Sequence, residues 1–140
     1  MHPALALGTA YLAGSFPSAY LAGRLLKGVD LRTIGSGNLG ATNVYRNLGV
    51  KPAVVVMLVD ALKGALPVAL LPALLPPSVL DAPSATPSAA LWWGLAFGVA
   101  AIAGHAKPIF LLGRGGGKGV ATAAGVFIAL TPPAAVIAIL

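Results

Sequence analysis

Formal charges divide the chain into long apolar runs, and that division is the strongest pattern in it. Met1 to Gly23 carries no charged side chain, Pro52 to Pro76 is interrupted only by Asp60 and Lys63, and Gly119 to Leu140 is again uncharged. Between them, Ala82 to Ala106 holds a further run that starts best at Ala89, because the preceding "DAPSATPS" is a turn-rich polar connection. Each run approaches the roughly 20 apolar residues that a helix needs to cross a bilayer. The pattern predicts four transmembrane helices joined by polar, glycine-rich loops, hence an all-α, polytopic integral membrane bundle forming a single domain over residues 1–140.

Composition supports this prediction. Of the 140 residues, 58% are hydrophobic and only 9% charged, with a mean hydropathy of +0.92. A soluble domain carries about 25% charged residues, and one core in so short a chain cannot hide this much apolar surface. There is no cysteine, which removes disulfides, thiolate nucleophiles and thiolate metal clusters and leaves the redox compartment unreadable. The N-terminal "MHPALALG" lacks the basic segment of a signal peptide, so the first span is expected to stay in the mature protein.

The basic residues are placed asymmetrically. Arg24, Lys27, Arg32, Arg46 and Lys51 surround the first loop and Lys107, Arg114 and Lys118 the third, whereas the second loop, around Asp81, has none. The positive-inside rule therefore places the first and third loops in the cytoplasm and the N-terminus outside. Most of the net charge of +6 lies on that one face, where it would attract anionic headgroups and anionic substrates.

Within the first loop, "GSGNLG" (Gly35 to Gly40) fits the G-x-G-x-x-G dinucleotide fingerprint, and Asp60 stands twenty residues beyond Gly40. That fingerprint needs a preceding strand and a βαβ unit. Here "RLLKGVDLRTI" is too short to supply one and Asp60 lies inside an apolar run, so nucleotide binding is rejected. The same residues suit a phosphate-like anion. Gly35, Gly37 and Gly40 let backbone amides approach closely, Ser36, Asn38, Thr42 and Asn43 offer short polar side chains, and Arg46 offers a planar fork. "ATNVYRNLG" is expected to form a short interfacial helix with Tyr45 toward lipid and Arg46 toward the cytoplasm. The competing reading is a flexible loop whose glycines only turn and whose Arg46 anchors the topology.

The third loop, "GHAKPIFLLGRGGGKGVAT" (Gly104 to Thr122), repeats this character. Gly116, Gly117 and Gly119 surround Lys118, but Leu112 and Gly119 stand where a Walker A loop needs glycine and a hydroxyl residue, so ATP hydrolysis is excluded and anion binding is not. His105, at the end of the third span, suits either a helix-capping bond to a carbonyl or chemistry. Asp60 and Lys63, three residues apart, share a helix face. They either complete the anion site from below or form a structural ion pair.

Taken in order, "GSGNLGATNVYRNLG", "DALKG" and the third-loop segment resemble the bacterial membrane-integral glycerol-3-phosphate acyltransferases of the PlsY family. The resemblance implies transfer of an acyl group from acyl phosphate to the sn-1 hydroxyl of glycerol 3-phosphate, releasing lysophosphatidic acid and inorganic phosphate in phospholipid synthesis at the bacterial cell membrane. It implies Ser36, Arg46 and Lys118 as phosphate-handling catalytic residues. Gly35, Gly37, Asn38, Gly40, Thr42, Asn43, His105, Gly116, Gly117 and Gly119 would bind substrate or shape the loops, with Asp60 and Lys63 in support. No metal, no cofactor and no nucleic acid is implied. By the same resemblance the chain is expected to be an incomplete version of a seven-span family fold, with a glycine run before Lys118 one residue longer than usual. Phe110 stands where the His-x4-Asp dyad of other glycerolipid acyltransferases would place Asp, so a substrate phosphate oxygen is the implied base. The alternatives are a transporter or channel subunit for a phosphorylated anion and a scaffold that binds anionic lipid.

Overall fold

The computed structural model describes residues 1–80 and 89–131. Among them are helices α1 (Pro3–Gly14), α2 (Ser18–Lys27), α3 (Ala41–Leu48), α4 (Val50–Leu70), the short α5 (Pro77–Leu80), α6 (Ala89–Ala106) and α7 (Val120–Leu130), and no strand. The all-α expectation holds for these residues. Two helical stretches, Val50–Leu74 and Ala89–Leu111, are long and apolar enough to cross a membrane. The expected third run is helical over Ala89–Ala106, while the residues before Ala89, the loop around Asp81 and the end of the fourth span lie outside the described residues.

The expected first span is corrected: Met1 to Gly23 is not one helix. α1 ends at Gly14 and α2 begins at Ser18. Pro17 is the physical cause, since it lacks an N–H and its ring disfavours helical geometry in the residue before it. At 1.5 Å per residue the 12-residue α1 is about 18 Å long, short of the ~30 Å hydrocarbon core. The break exposes main-chain polar groups that must find partners elsewhere. Ser15 N–H bonds back to the Tyr11 carbonyl at 2.9 Å, and the Phe16 carbonyl accepts from the Lys63 ammonium at 2.8 Å.

The helices meet through glycine. α1 lies against α6, where Gly14 leaves no room for a β-carbon beside the Ala101 carbonyl and Gly104 none beside the Tyr11 carbonyl. Tyr11 fixes the far end of this pair by donating to the Lys107 carbonyl at 2.6 Å. α4 packs against α7 in the same way, Gly64 facing the Thr122 carbonyl and Gly125 the Ala61 carbonyl. Such close approach is how apolar helices associate where lipid offers no hydrophobic driving force. Phe97, fully buried, fills the space among α1, α6 and the Leu71–Leu75 turn, with Trp93 tilted against it at 5.8 Å. A second cluster, Leu31, Leu39, Val44, Ala53 and Val56, seats the first loop and α3 on the start of α4.

This packing sets opposite expectations for two glycines inside helices. Gly125→Ala drives a methyl into the backbone of α4 and should destabilise the bundle by about 1–3 kcal/mol. Gly8→Ala, in open space, should leave stability unchanged or raise it by up to about 1 kcal/mol through helix propensity. Thermal unfolding of both variants in one detergent checks the contrast, and equal effects would refute backbone contact between α4 and α7.

Candidate active site

Two knots hold the first loop, residues 28–40. In the first, Asp30 receives the Arg32 guanidinium at 2.7 and 3.0 Å, the Arg32 backbone N–H at 3.0 Å and a more distant Arg24 at 3.3 Å. Both guanidinium groups lie over the Tyr20 ring, 5.1 and 5.4 Å from its centre. The Arg32 hydrogen bonds hold the Asp30 carboxyl down at about 2, against a burial cost that works the other way. In the second knot, Asn43 of α3 is 1% exposed and uses its whole side chain. Its amide donates to the carbonyls of Leu31 at 2.9 Å and Ile34 at 3.2 Å, and its oxygen accepts from Ser36 N–H at 3.1 Å and the Asn47 amide at 3.0 Å. Gly35 lies so close to this oxygen that a β-carbon would collide with it, and both Gly35 and Gly37 have positive φ, at 60° and 68°.

The anion-cradle expectation is refined here. Ser36 N–H is occupied by Asn43 and Gly37 N–H by the Ile34 carbonyl at 3.1 Å, so neither amide is free for a ligand. Two of the expected donors are therefore taken, and the side chains of Ser36, Thr42 and Arg46 that line the cavity carry more of the polar surface. α3 forms as expected, burying Asn43 and Val44 and exposing Tyr45 and Arg46.

The third loop packs against the first. The Arg32 stem occupies the space a β-carbon on Gly115 would need, and Gly117 is wedged between the Leu39 carbonyl and the His105 ring. Gly117 N–H donates to the His105 carbonyl at 3.2 Å, and Gly119, with φ of 75°, turns the chain into α7. The His105 side chain makes no capping bond: its Nδ1 stands 3.8 Å from Asp60 Oδ1. That same carboxylate oxygen accepts from Ser18 Oγ at 2.6 Å and pairs with Lys63 at 2.7 Å. Asp60 and Lys63 thus share a face and are 1% and 8% exposed, charges tolerable at this depth only because each is partnered.

A cavity of about 600 Å³ lies where these elements converge. Ser36, Asn38, Gly40, Thr42, Asn43 and Arg46 line it from the first loop and α3, and His105, Lys118 and Gly119 from the opposite side. Asp60 reaches it from α4. Asn38 presents a buried side-chain oxygen with no partner among the described residues. The rest of the wall is apolar: Met57, Leu58 and Ala61 of α4, and Val120, Ala121 and Ala124 of α7. Of the residues singled out in the sequence, Gly35 and Gly37 shape the loop without lining this cavity. Gly116, Gly117 and Lys63 line a separate, much smaller space that also touches His105. Sequence reasoning missed Ser18, Asn47 and the Arg24–Asp30–Arg32 knot. The lone acid between two arginines was a visible signal for the knot. Nothing local marked Ser18, 42 residues from its partner.

With this geometry in view, comparison with known proteins is direct. Residues 4–140 match the family model described as Glycerol-3-phosphate acyltransferase, and the chain belongs to that family. Relatives of that name include one from Synechococcus elongatus, 50% identical over 123 residues that cover 88% of this chain and 56% of the relative. Another, from Myxococcus xanthus, is 51% identical over 130 residues, 93% of this chain and 61% of the relative. The fold matches the crystal structure of PlsY (YgiH), an integral membrane glycerol 3-phosphate acyltransferase, in its glycerol 3-phosphate form. The TM-score is 0.80 at 39% identity, over 98% of this chain and 62% of that one. The lysophosphatidic acid form of PlsY matches with a TM-score of 0.77 at 37% identity, over 98% and 61% of the two chains. The chain spans little more than half the length of the curated relatives it matches.

Asn43 supplies a test of the loop architecture. Asn43→Ala leaves the Leu31 and Ile34 carbonyls and the Ser36 N–H without their partner, at about 1–3 kcal/mol for each group that stays buried. Stability should fall by several times the ~1 kcal/mol typical of a point change, and hydrogen exchange should quicken across residues 31–36. Unchanged exchange would show that the loop holds its shape without the clamp.

Proposed function

We propose that this chain carries the acyl-transfer site of an acyl-phosphate:glycerol-3-phosphate acyltransferase. The observation that carries the reading is the two-sided cavity. Arg46, Lys118, Ser36 and Thr42 form a cationic, hydrogen-bonding wall, and α4 and α7 form an apolar one, which suits a pair of reactants with anionic heads and one acyl chain. Family membership and the glycerol 3-phosphate form of the PlsY structure support it. The transporter reading loses ground because the intramembrane charges, Asp60 and Lys63, are consumed by each other, by Ser18 and by the Phe16 carbonyl.

Acyl phosphate is already activated, so no acyl-enzyme is needed; positioning and electrostatics supply the catalysis. Arg46 and Ser36 hold the glycerol phosphate, and the planar guanidinium fork suits its oxygens. Lys118 stabilises the developing oxyanion and the departing phosphate. The sn-1 oxygen attacks the acyl carbon, the carbon–oxygen bond to phosphate breaks, and the hydroxyl proton passes to a substrate phosphate oxygen. A phosphate monoester, with its second pKa near 6, can accept it at neutral pH. Lysophosphatidic acid and inorganic phosphate result.

Purified protein offered glycerol 3-phosphate with acyl phosphate, acyl-CoA or acyl carrier protein tests the donor; transfer from acyl phosphate alone is expected. In the same assay Lys118→Ala should lower turnover about 100- to 1000-fold, the usual cost of one preorganised oxyanion donor. Arg46→Lys should mainly raise KM for glycerol 3-phosphate. Near-normal turnover in the Lys118 variant would remove its catalytic role.

The same reading places the protein in the bacterial cell membrane, with its N-terminus outside and both glycine-rich loops in the cytoplasm. The chain has no cysteine, so single cysteines at Ser36, Ser84 and Arg114 report the topology. Gly116 is unsuitable, since a β-carbon there meets the Ala106 carbonyl. Ser36 and Arg114 should label from the cytoplasmic side only and Ser84 from the outside; cytoplasmic labelling of Ser84 overturns the orientation.

A further inference from the structure

The cavity contains Lys118, yet no side chain bonded to Lys118 accounts for its position. What fixes it runs through His105 and Asp60 in the cavity wall to Ser18 outside it, and can be followed atom by atom. Lys118 follows Gly117, which has no room for a β-carbon because the His105 ring occupies that space, and whose N–H donates to the His105 carbonyl at 3.2 Å. The His105 ring is 6% exposed and turns Nδ1 toward Asp60 Oδ1, 3.8 Å away. Asp60 cannot turn freely, because that oxygen also accepts from Ser18 at 2.6 Å and from Lys63 at 2.7 Å. Ser18 is the first residue of α2, directly after the Pro17 break, and Lys63 spans the same break by bonding the Phe16 carbonyl.

We propose that Ser18 is a positioning residue for acyl transfer: through Asp60 it sets the orientation of His105, and the His105 ring props the Gly117–Lys118 segment over the cavity. Ser18 and Lys63 share out the work on one carboxylate. Lys63 neutralises its charge, and Ser18 fixes its direction. Losing the Ser18 hydroxyl therefore leaves the ion pair intact while freeing the carboxylate to rotate, and His105 with it. Each step joins neighbouring groups, the widest being the 3.8 Å between Asp60 Oδ1 and His105 Nδ1, so the chain from Ser18 to Lys118 needs no long-range coupling. The turnover part of this inference rests on the acyltransferase reading above; the orientation of His105 does not.

The protein contains two histidines, His2 and His105, so long-range 1H–15N spectra of the 15N-histidine-labelled protein in detergent report His105 once His2→Ala has assigned the pair. The wild type should show one dominant tautomer, with the proton on Nδ1 facing Asp60. In Ser18→Ala the His105 nitrogen shifts should move toward those of a mixed tautomer population, and Ser18→Thr, which keeps a hydroxyl, should restore them. With acyl phosphate and glycerol 3-phosphate, kcat of Ser18→Ala should fall about 10- to 100-fold, as expected for a reacting group misplaced by up to an ångström. KM for glycerol 3-phosphate should change less than threefold, because Arg46 and Ser36 are untouched. A purely structural serine would lower the melting temperature and leave turnover per folded molecule and the His105 shifts alone; that result overturns the proposal. Unchanged His105 shifts overturn it even in a protein with no acyl transfer, whereas moved shifts without acyl transfer sustain it and refute only the acyltransferase reading. Should Ser18→Ala not fold, Ser18→Cys, a weaker donor of similar size, reads the same shifts, and no displacement there is likewise decisive against it.

Discussion

One carboxylate oxygen, Asp60 Oδ1, is the point on which the inner half of the molecule depends. A charge at this depth is tolerable only if it is paired and hydrogen-bonded. Ser18 of α2 and Lys63 of α4 do this at 2.6 and 2.7 Å, and the His105 ring of α6 stands beside them with Nδ1 3.8 Å away. The Lys63 ammonium also takes the carbonyl freed by the Pro17 break. That carbonyl also accepts from the Ser18 N–H at 3.1 Å, so the break is closed both by the chain itself and by Lys63, which ties it to the buried charge.

Around that centre the chain relies on what glycine omits. Gly14, Gly64, Gly104 and Gly125 let helices touch main chain to main chain, and Gly115 and Gly117 let the two loops touch each other. The loops in turn bring Arg46 and Lys118 to one cavity from positions 72 residues apart in the sequence (118 minus 46). A glycine-rich membrane protein is easily read as flexible. Here most of these glycines are sites of contact, where a side chain would force the elements apart.

How much of this was legible in the sequence follows from which interactions are local. The long apolar helices α4 and α6, the i,i+3 relation of Asp60 to Lys63 and the short helix holding Asn43 and Arg46 all depend on neighbours in sequence, and each is present in the structure. The first span was misjudged because an uncharged run signals burial in lipid and says nothing of continuity; Pro17 was the local cue, outweighed by hydropathy. The loop amides were expected to face a ligand, but the Asn43 side chain competes for one of them, and only the fold shows that competition. Ser18 is not legible because the uncharged run places it inside a continuous span, and its partner lies on another helix. The roles of individual residues in catalysis belong to the chemistry of bound substrates, which neither sequence pattern nor loop geometry contains.

The Asn43 clamp bears on the thermodynamics of ligand capture. A glycine-rich loop that is disordered when empty must lose about 1–2 kcal/mol of backbone entropy for every residue it orders around a phosphate. In this loop the Leu31, Ile34 and Ser36 main-chain groups already have partners, so that loss is taken during folding. Under the proposed reading, phosphate binding would carry little entropic penalty from the loop, and a weak, reversible affinity could come from a few charged contacts alone.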